Sequence, residues 1–426
     1  MEGSQYCIMT TSVGSSYRSN NVIILGAGAS FDAGIPLLGT FVDKMWEYSA
    51  RGKVGEVEIS PHDRIKLGAA DLIRRSLEPY NSRANFNSRN IEDVLSLLSF
   101  EAMRGGVAEN RYDAVVAAVE RTIDLSCKIT RQDCDPDNVF HRKSCQPHLD
   151  LWKHILSRRF RQNLPAIVTF NYDLVLERTL WQSFHFSKNT EPPEFESCGI
   201  NYHLGDTAFG IRKVPPEPNG PAQHASPNRQ GTKGEWVPFE ETEAKIHYFK
   251  LHGSLNWDGN NPSKANADRD RLTTEPAPFI LPPVFNKINS EQIRPLWSEA
   301  LDVLQHAKYV TIVGYSLPQT DIYMQYFLRS AFGPNSDLQQ ITVFDPVLFK
   351  DGDPAGEGMR RRYRECFAPQ FWNYICFRPH FEGGNDQVKP HYRSEAERDG
   401  TEPGTFRHFV EELRKEATSR RLFYHP

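Results

Sequence analysis

Asn171 and Asp173 directly follow an apolar run that ends at Phe170, and His252 directly follows another that ends at Leu251. An asparagine amide carries both a donor and an acceptor, which suits it to hold sugar hydroxyls or a water. A histidine with the ordinary pKa of about 6.5 takes a proton from a hydroxyl or a water near neutral pH. A third abrupt change lies far upstream, where Val22-Ile23-Ile24-Leu25 stops at Gly26-Ala27-Gly28, with Ala29 and Ser30 after it. A strand that ends at glycines and turns into a helix lets backbone approach a pyrophosphate and points the helix's unpaired N–H groups at it. The spacing departs from the GxGxxG fingerprint, because the third glycine, Gly34, comes late.

Bringing such distant residues to one place takes a sheet, and the apolar runs supply its strands. Residues 22–25, 166–170, 309–313 and 341–344 are short and aliphatic, as strands buried on both faces are. Each ends in a polar or glycine-rich tip: Gly26, Asn171-Tyr172-Asp173, Gly314-Tyr315-Ser316 and Asp345-Pro346. Residues 245–251 lead into His252-Gly253-Ser254, and 279–281 form a short strand stopped by Pro282-Pro283. Helical spacing fills the gaps over 65–77, 90–100, 112–123, 148–156, 174–181, 297–306 and 321–332. Thr40 and Asp43 have the spacing of a capping box, and Phe41, Val42, Met45 and Trp46 form a stripe expected in the core. Residues 131–147 read as loop.

The alternation predicts an α/β fold, a Rossmann-like, mainly parallel sheet with helices on both faces and its tips along one edge. Residues 1–20 read as an N-terminal arm and 21–346 as a catalytic domain. A helical insertion at about 51–160 is expected to cap the nucleotide crevice, and a loop-rich insertion, with at most a hairpin, at about 186–245. Residues 347–426 form a charged C-terminal extension ending in a helix around 405–417.

The 426-residue chain is 39% apolar and 24% charged, with a net charge of −4. That balance fits a globular protein and gives no global argument for nucleic-acid binding. No apolar stretch is long enough for a membrane span, and residues 1–20 lack the hydrophobic segment of a secretory signal, so a cytoplasmic location is expected. The 7 cysteines are scattered without a CxxC pair, which gives no support for a zinc ribbon or other metal site.

Gly26-Ala27-Gly28-Ala29-Ser30 with Gly34-Ile35-Pro36 resembles the GAGxS…GIP loop of sirtuins. Thr169-Phe170-Asn171-Tyr172-Asp173 resembles their TQN(I/V)D element, His252-Gly253 their catalytic HG, and Gly314-Tyr315-Ser316-Leu317 their GTSL loop. Asp345 falls where sirtuins carry a polar residue for the adenosine ribose. These elements keep the family's order over residues 22–346. The wording of 251–257, 279–287 and 312–321 is closer to the sirtuin-like proteins of bacterial antiphage defence. Members of that group act as NAD⁺ glycohydrolases, some beside a HerA-type hexameric DNA-translocating ATPase.

The resemblance implies NAD⁺ as substrate, with Asn171, His252 and Asp173 catalytic. It implies contacts to NAD⁺ from Gly26, Ala27, Gly28, Ser30, Gly34, Pro36, Tyr172, Gly314, Ser316 and Asp345. Asp173 would hold the nicotinamide carboxamide, the role of the matching sirtuin aspartate. No cofactor beyond NAD⁺ and no zinc are implied. A homo-oligomer and a HerA-type ATPase are the partners implied, without membrane or direct nucleic-acid binding. The chain departs from the deacylases in lacking their paired CxxC zinc module and in carrying Leu37-Leu38-Gly39 where they have Asp-Phe-Arg. Nicotinamide leaves NAD⁺ as a neutral pyridine, so the reaction asks for a stabilised ribosyl cation and a placed water rather than a general acid. A protein deacylase, a sensor that binds NAD⁺ or ADP-ribose without turnover, and an unrelated nucleotide-binding protein with a coincidental loop are the alternatives. Read singly, Asn171 is also a turn residue, Asp345 before Pro346 also starts a turn, and Ser30 also caps a helix. His252 alone is also a structural histidine, as His141, His148, His203 and His247 are read here.

Overall fold

The run at the first glycine turn forms strand β1 (Asn21–Leu25), buried throughout because it lies in the middle of a sheet. The computed structural model describes residues 17–55, 57–128, 139–184, 193–205, 207–214, 233–263, 278–281, 291–319, 321–349, 354–378, 403–415 and 422–423. After β1 come a 3-10 turn at Ala27–Ser30, helix α1 (Leu38–Arg51) and the small antiparallel pair β2 (Lys53–Val54) and β3 (Val57–Glu58). Helices α2 (Pro61–Ser76), α3 (Ile91–Ala102), α4 (Val107–Ser126) and α5 (Val139–Ile155) follow. Next are β4 (Ala166–Thr169), α6 (Val175–Phe184), β5 (Ser197–Asn201), β6 (Phe209–Val214), β7 (Lys233–Val237) and β8 (Ala244–Lys250). The chain continues through β9 (Gly253–Asp258), β10 (Pro278–Ile280), α7 (Arg294–Gln305), β11 (Tyr309–Val313), α8 (Ile322–Phe332) and β12 (Gln340–Phe344). It closes with α9 (Pro354–Glu365), β13 (Ile375–Arg378) and α10 (Phe406–Arg414).

The main sheet has the order β13-β12-β11-β1-β4-β8-β5-β6-β7. Every pair from β13 to β5 is parallel, and β6 and β7 add on antiparallel. The fold is therefore the α/β, Rossmann-like, mainly parallel sheet that the alternation predicts. Strand order reverses beside β1: the chain first builds outward through β4, then returns to lay β11 on the other flank. Open α/β sheets bind ligands at the carboxyl ends of the strands beside such a reversal.

One apolar cluster fills the space around the sheet, with Ile23, Val168, Phe249, Ile312 and Phe344 among its fully buried members. A second cluster holds α1 to α4 together through Met45, Leu67, Leu98 and Val115, and it includes Leu174, Val175 and Leu255 from the strand tips. The helical insertion is thus fixed to the edge where the site residues lie.

Several local expectations are corrected. Helix α1 begins upstream of Thr40, whose hydroxyl donates to Leu37 O (3.2 Å), so the Thr40–Asp43 capping box does not form. Phe41, Val42 and Met45 are buried, but Trp46 is half exposed at the flank of the stripe. Part of 131–147, read as loop, is the start of α5, with Pro147 inside the helix; residues 129–138 lie outside the described residues. Burial of Leu151, Trp152 and Ile155, at roughly 1.5–3 kcal/mol each, outweighs the roughly 3 kcal/mol that an interior proline costs. Within 186–245 the described residues carry three strands that extend the main sheet, more regular structure than a hairpin. Gly199 and Gly210 broke the apolar alternation there, and both are required because Phe239 and Thr242 pack over the Cα of Gly199, and Thr242 and Val237 over that of Gly210. Residues 347–426 contribute β13 to the sheet edge and α10 to the core. Of the N-terminal arm, 1–16 lie outside the described residues, as do Pro282 and Pro283.

Candidate functional site

The glycines of the first turn answer to the tip of β11. A Cβ on Gly26 would lie 2.5 Å from Gly314 O, and one on Gly28 would lie 2.8 Å from Gly314 Cα. Gly314 has φ +64°, and a Cβ there would meet Ala29 N at 2.5 Å. Gly26 N donates to Val313 O (3.0 Å) and Gly28 N to Gly314 O (2.9 Å), so the two tips close backbone on backbone. The helix expected directly after these glycines is only the 3-10 turn, and α1 starts at Leu38. The expected helix directly after the glycines is thereby corrected to a short 3-10 turn. The chain turns aside because Gly34 (φ +97°) seats against Ser126 O at the end of α4, where Lys128 N donates to Ala33 O (2.8 Å). Pro36 is buried in the same turn.

Asn171 ties the tip of β4 to that turn. Its backbone N–H donates to Thr169 Oγ1 (3.1 Å), and the Thr169 hydroxyl donates to Leu25 O (3.0 Å). Its side-chain Nδ2 donates to Gly26 O (2.9 Å) and to Ser30 Oγ (3.0 Å), which leaves Oδ1 as an acceptor. Ser30 therefore meets Asn171 and does not cap a helix. Asp173 is buried, and its Oδ1 accepts from Val175 N (3.0 Å) at the start of α6. Beneath it the fully buried Lys250 donates to Asp173 O (2.5 Å) and pairs with Glu177 (2.8 Å), which also accepts from the Tyr202 hydroxyl (2.9 Å).

Thr169 and Lys250 are register partners on neighbouring parallel strands. Asn171 and His252 each lie the same number of residues beyond those partners, on the tips of neighbouring strands. His252 is only 5% exposed. Its ring lies among Phe170 (5.3 Å between centroids), Tyr172 (6.0 Å) and Trp297 (6.3 Å). Leu281 N donates to His252 O (2.7 Å) and the Tyr172 hydroxyl to Leu281 O (2.6 Å), which clamps the β8–β9 turn. Gly253 takes φ +88° there, with β10 backbone directly over its Cα. Along 170–173 the side chains diverge: Phe170 and Tyr172 lie against His252, Asn171 reaches the glycine turn, and Asp173 turns back to the start of α6.

Ser30, Thr169, Asn171 and Asp173 line a small cavity together with His148 and Phe406, with room for about one water. Its walls do not include His252. His148, on α5, is fully buried, and its Nε2 donates to Ala29 O (2.9 Å), since a carbonyl only accepts. Burial pushes its pKa down to about 4, partly offset by the Ala29 carbonyl, so the ring is neutral at neutral pH. Phe406 of α10 stacks on it at 4.4 Å. Withdrawing α10 would expose Phe406, Phe409, Val410 and Leu413, at roughly 1.5–3 kcal/mol each, so this wall is a fixed one. Neither residue is legible as a site residue: His148 sits in a helix with no motif around it, and Phe406 lies beyond every matched element.

The remaining predicted residues stand apart from the cavity. Ala27 is exposed, Tyr172 spends its hydroxyl on Leu281, and Ser316 is exposed with its carbonyl accepting from Arg362 Nη2 (3.0 Å). Leu317 O accepts from Arg362 Nε (2.7 Å), which fixes the β11 tip. Asp345 is buried at the tip of β12, and its Oδ1 accepts from Val347 N (2.9 Å), the turn that Pro346 allows. Burial raises its pKa, offset by that N–H and by the Arg362 charge. Among the described residues no group of His, Cys, Asp and Glu could hold a metal ion, and no helix is long and apolar enough to cross a membrane. Compared with known proteins, the chain matches no family model and no curated protein.

Proposed function

We propose that the chain hydrolyses NAD⁺ to ADP-ribose and nicotinamide. The observation that supports this most is the pairing in register of β4 with β8 beside β1, which sets Asn171, His252 and the glycine turn on one sheet edge. In the proposed step the bond between ribose C1′ and the pyridine nitrogen breaks, and its electron pair leaves with neutral nicotinamide. A water oxygen bonds to C1′, and the water's proton passes to His252. Asn171 Oδ1 orients the sugar or the water; the carboxamide role implied for Asp173 requires the small cavity beside it to open, since that cavity has room for about one water. Placement and preorganised dipoles supply the rate. Enclosure of His252 by three aromatic rings means that the substrate must part them to reach it.

That enclosure favours one second reading, a module that binds NAD⁺ or ADP-ribose without turnover. Following nicotinamide release from NAD⁺ separates the two. A protein deacylase is a weaker candidate, because the sequence lacks the paired CxxC module, and an acetyl-peptide assay tests it. The sirtuin-like resemblance extends the proposal to an antiphage effector in the cytoplasm that assembles with copies of itself and works beside a HerA-type ATPase. Native mass measurement, alone and with such an ATPase, tests the assembly.

A further inference from the structure

From the cavity under the glycine turn we infer that His148 is a substrate-binding residue, its Nδ1 accepting a hydrogen bond from one hydroxyl of the ribose next to the scissile bond. The inference rests on the NAD⁺ reading above and deepens it. His148 spends Nε2–H on Ala29 O, and Nδ1 finds no hydrogen-bond partner among the described residues although it is fully buried. A buried ring nitrogen without a partner is costly, and this ring forms a wall of the same cavity as Ser30 and Asn171.

The chemistry of the other walls says what fits. Asn171 has given both N–H donors to Gly26 and Ser30 and offers only Oδ1. Asp173 offers carboxylate oxygen, and the neutral His148 offers a lone pair. Acceptors therefore outnumber donors, with the Ser30 hydroxyl hydrogen as the donor left over. A phosphate would meet lone pairs on three sides, whereas a sugar hydroxyl donates to one and accepts from Ser30. With room for about one water, the cavity takes a single hydroxyl and not a ring. Specificity of this kind comes from a buried polar group that only the matching ligand satisfies.

The test uses the full chain and two non-hydrolysed probes, ADP-ribose and ADP, which lacks the terminal ribose. His148→Gln keeps an N–H that can reach Ala29 O but moves its acceptor, now Oε1, off the Nδ1 position. It is expected to weaken ADP-ribose binding by about tenfold in calorimetry and to leave ADP binding and the thermal midpoint unchanged. Equal weakening of both probes would overturn the inference, and so would unchanged ADP-ribose affinity, including the case where kcat alone falls because the cavity holds a water. If His148→Gln proves unstable, loss of the ADP-ribose advantage over ADP in Ser30→Ala serves as the second variant, and an intact advantage there counts against the inference. Wild-type protein that cleaves NAD⁺ while His148→Gln behaves identically sinks this inference alone. Wild-type protein that neither binds ADP-ribose nor cleaves NAD⁺ sinks the NAD⁺ reading and the inference with it.

Discussion

At Gly28 the tips of β1 and β11 leave no room for a side chain, since an added Cβ would sit 2.8 Å from backbone. Gly28→Ala is therefore expected to cost about 1–3 kcal/mol of stability and to abolish nucleotide turnover, as read by urea unfolding and nicotinamide release. A variant as stable as wild type would contradict the interlock. His148 gives a second prediction at this scale. Its folded pKa of about 4 lies below the ordinary 6.5, so between those values the unfolded chain binds the extra proton. Stability therefore falls as pH drops from about 6.5 to about 4, by about 3 kcal/mol in all, and levels off below. The charges of Asp32 and Arg407 act on the ring in opposite directions, both more weakly than burial. His148→Gln should flatten that slope in urea titrations across the window; an identical slope would contradict the assignment. His247, pushed down to about 3 mainly by burial, has the same sign, so some slope remains. Asn171 and the glycines were legible because a polar or small residue at the end of an apolar run is unusual. His148 was not, because nothing local distinguishes a histidine that faces a cavity from one packed in a core.

Among the elements, β4 and β8 carry the site, and the buried Lys250–Glu177 pair joins β8 to the start of α6 beneath Asp173. Lys250→Met leaves Glu177 buried without its partner and should cost about 3–5 kcal/mol, while Lys250→Met with Glu177→Met should recover much of that. Chemical unfolding of the single and double variants checks the pair; equal losses would show that the ion pair is not what holds the turn. Helix α10 is judged the same way. Phe409→Ala should cost about 3–5 kcal/mol, whereas Arg407→Ala, which removes a 3.9 Å pair with Asp32 at the surface, should cost less than about 1 kcal/mol. The buried central strands read directly from their aliphatic runs. Strands β5, β6 and β7 did not, because glycine and polar positions break their alternation, and β13 is a short edge strand in a charged stretch.

Over the whole molecule, the strand-order reversal beside β1 gathers residues from 26 to 345 along one edge, and the second apolar cluster locks the helical insertion to that edge through Leu174, Val175 and Leu255. The order of chemistry-bearing tips along the sequence showed the sheet edge but not which tips are neighbours. That depends on strand order, set by long-range packing. Because one folded body carries the site, ADP-ribose should raise the thermal midpoint of the whole transition, with about 2.7 kcal/mol gained at a hundredfold excess over Kd. The most direct measurement is nicotinamide release from NAD⁺ by wild type, Asn171→Ala and His252→Ala, each checked for fold by circular dichroism. Wild type should release nicotinamide and each folded variant should fall by at least about 10²-fold; full activity in either variant would contradict the roles assigned to this pair.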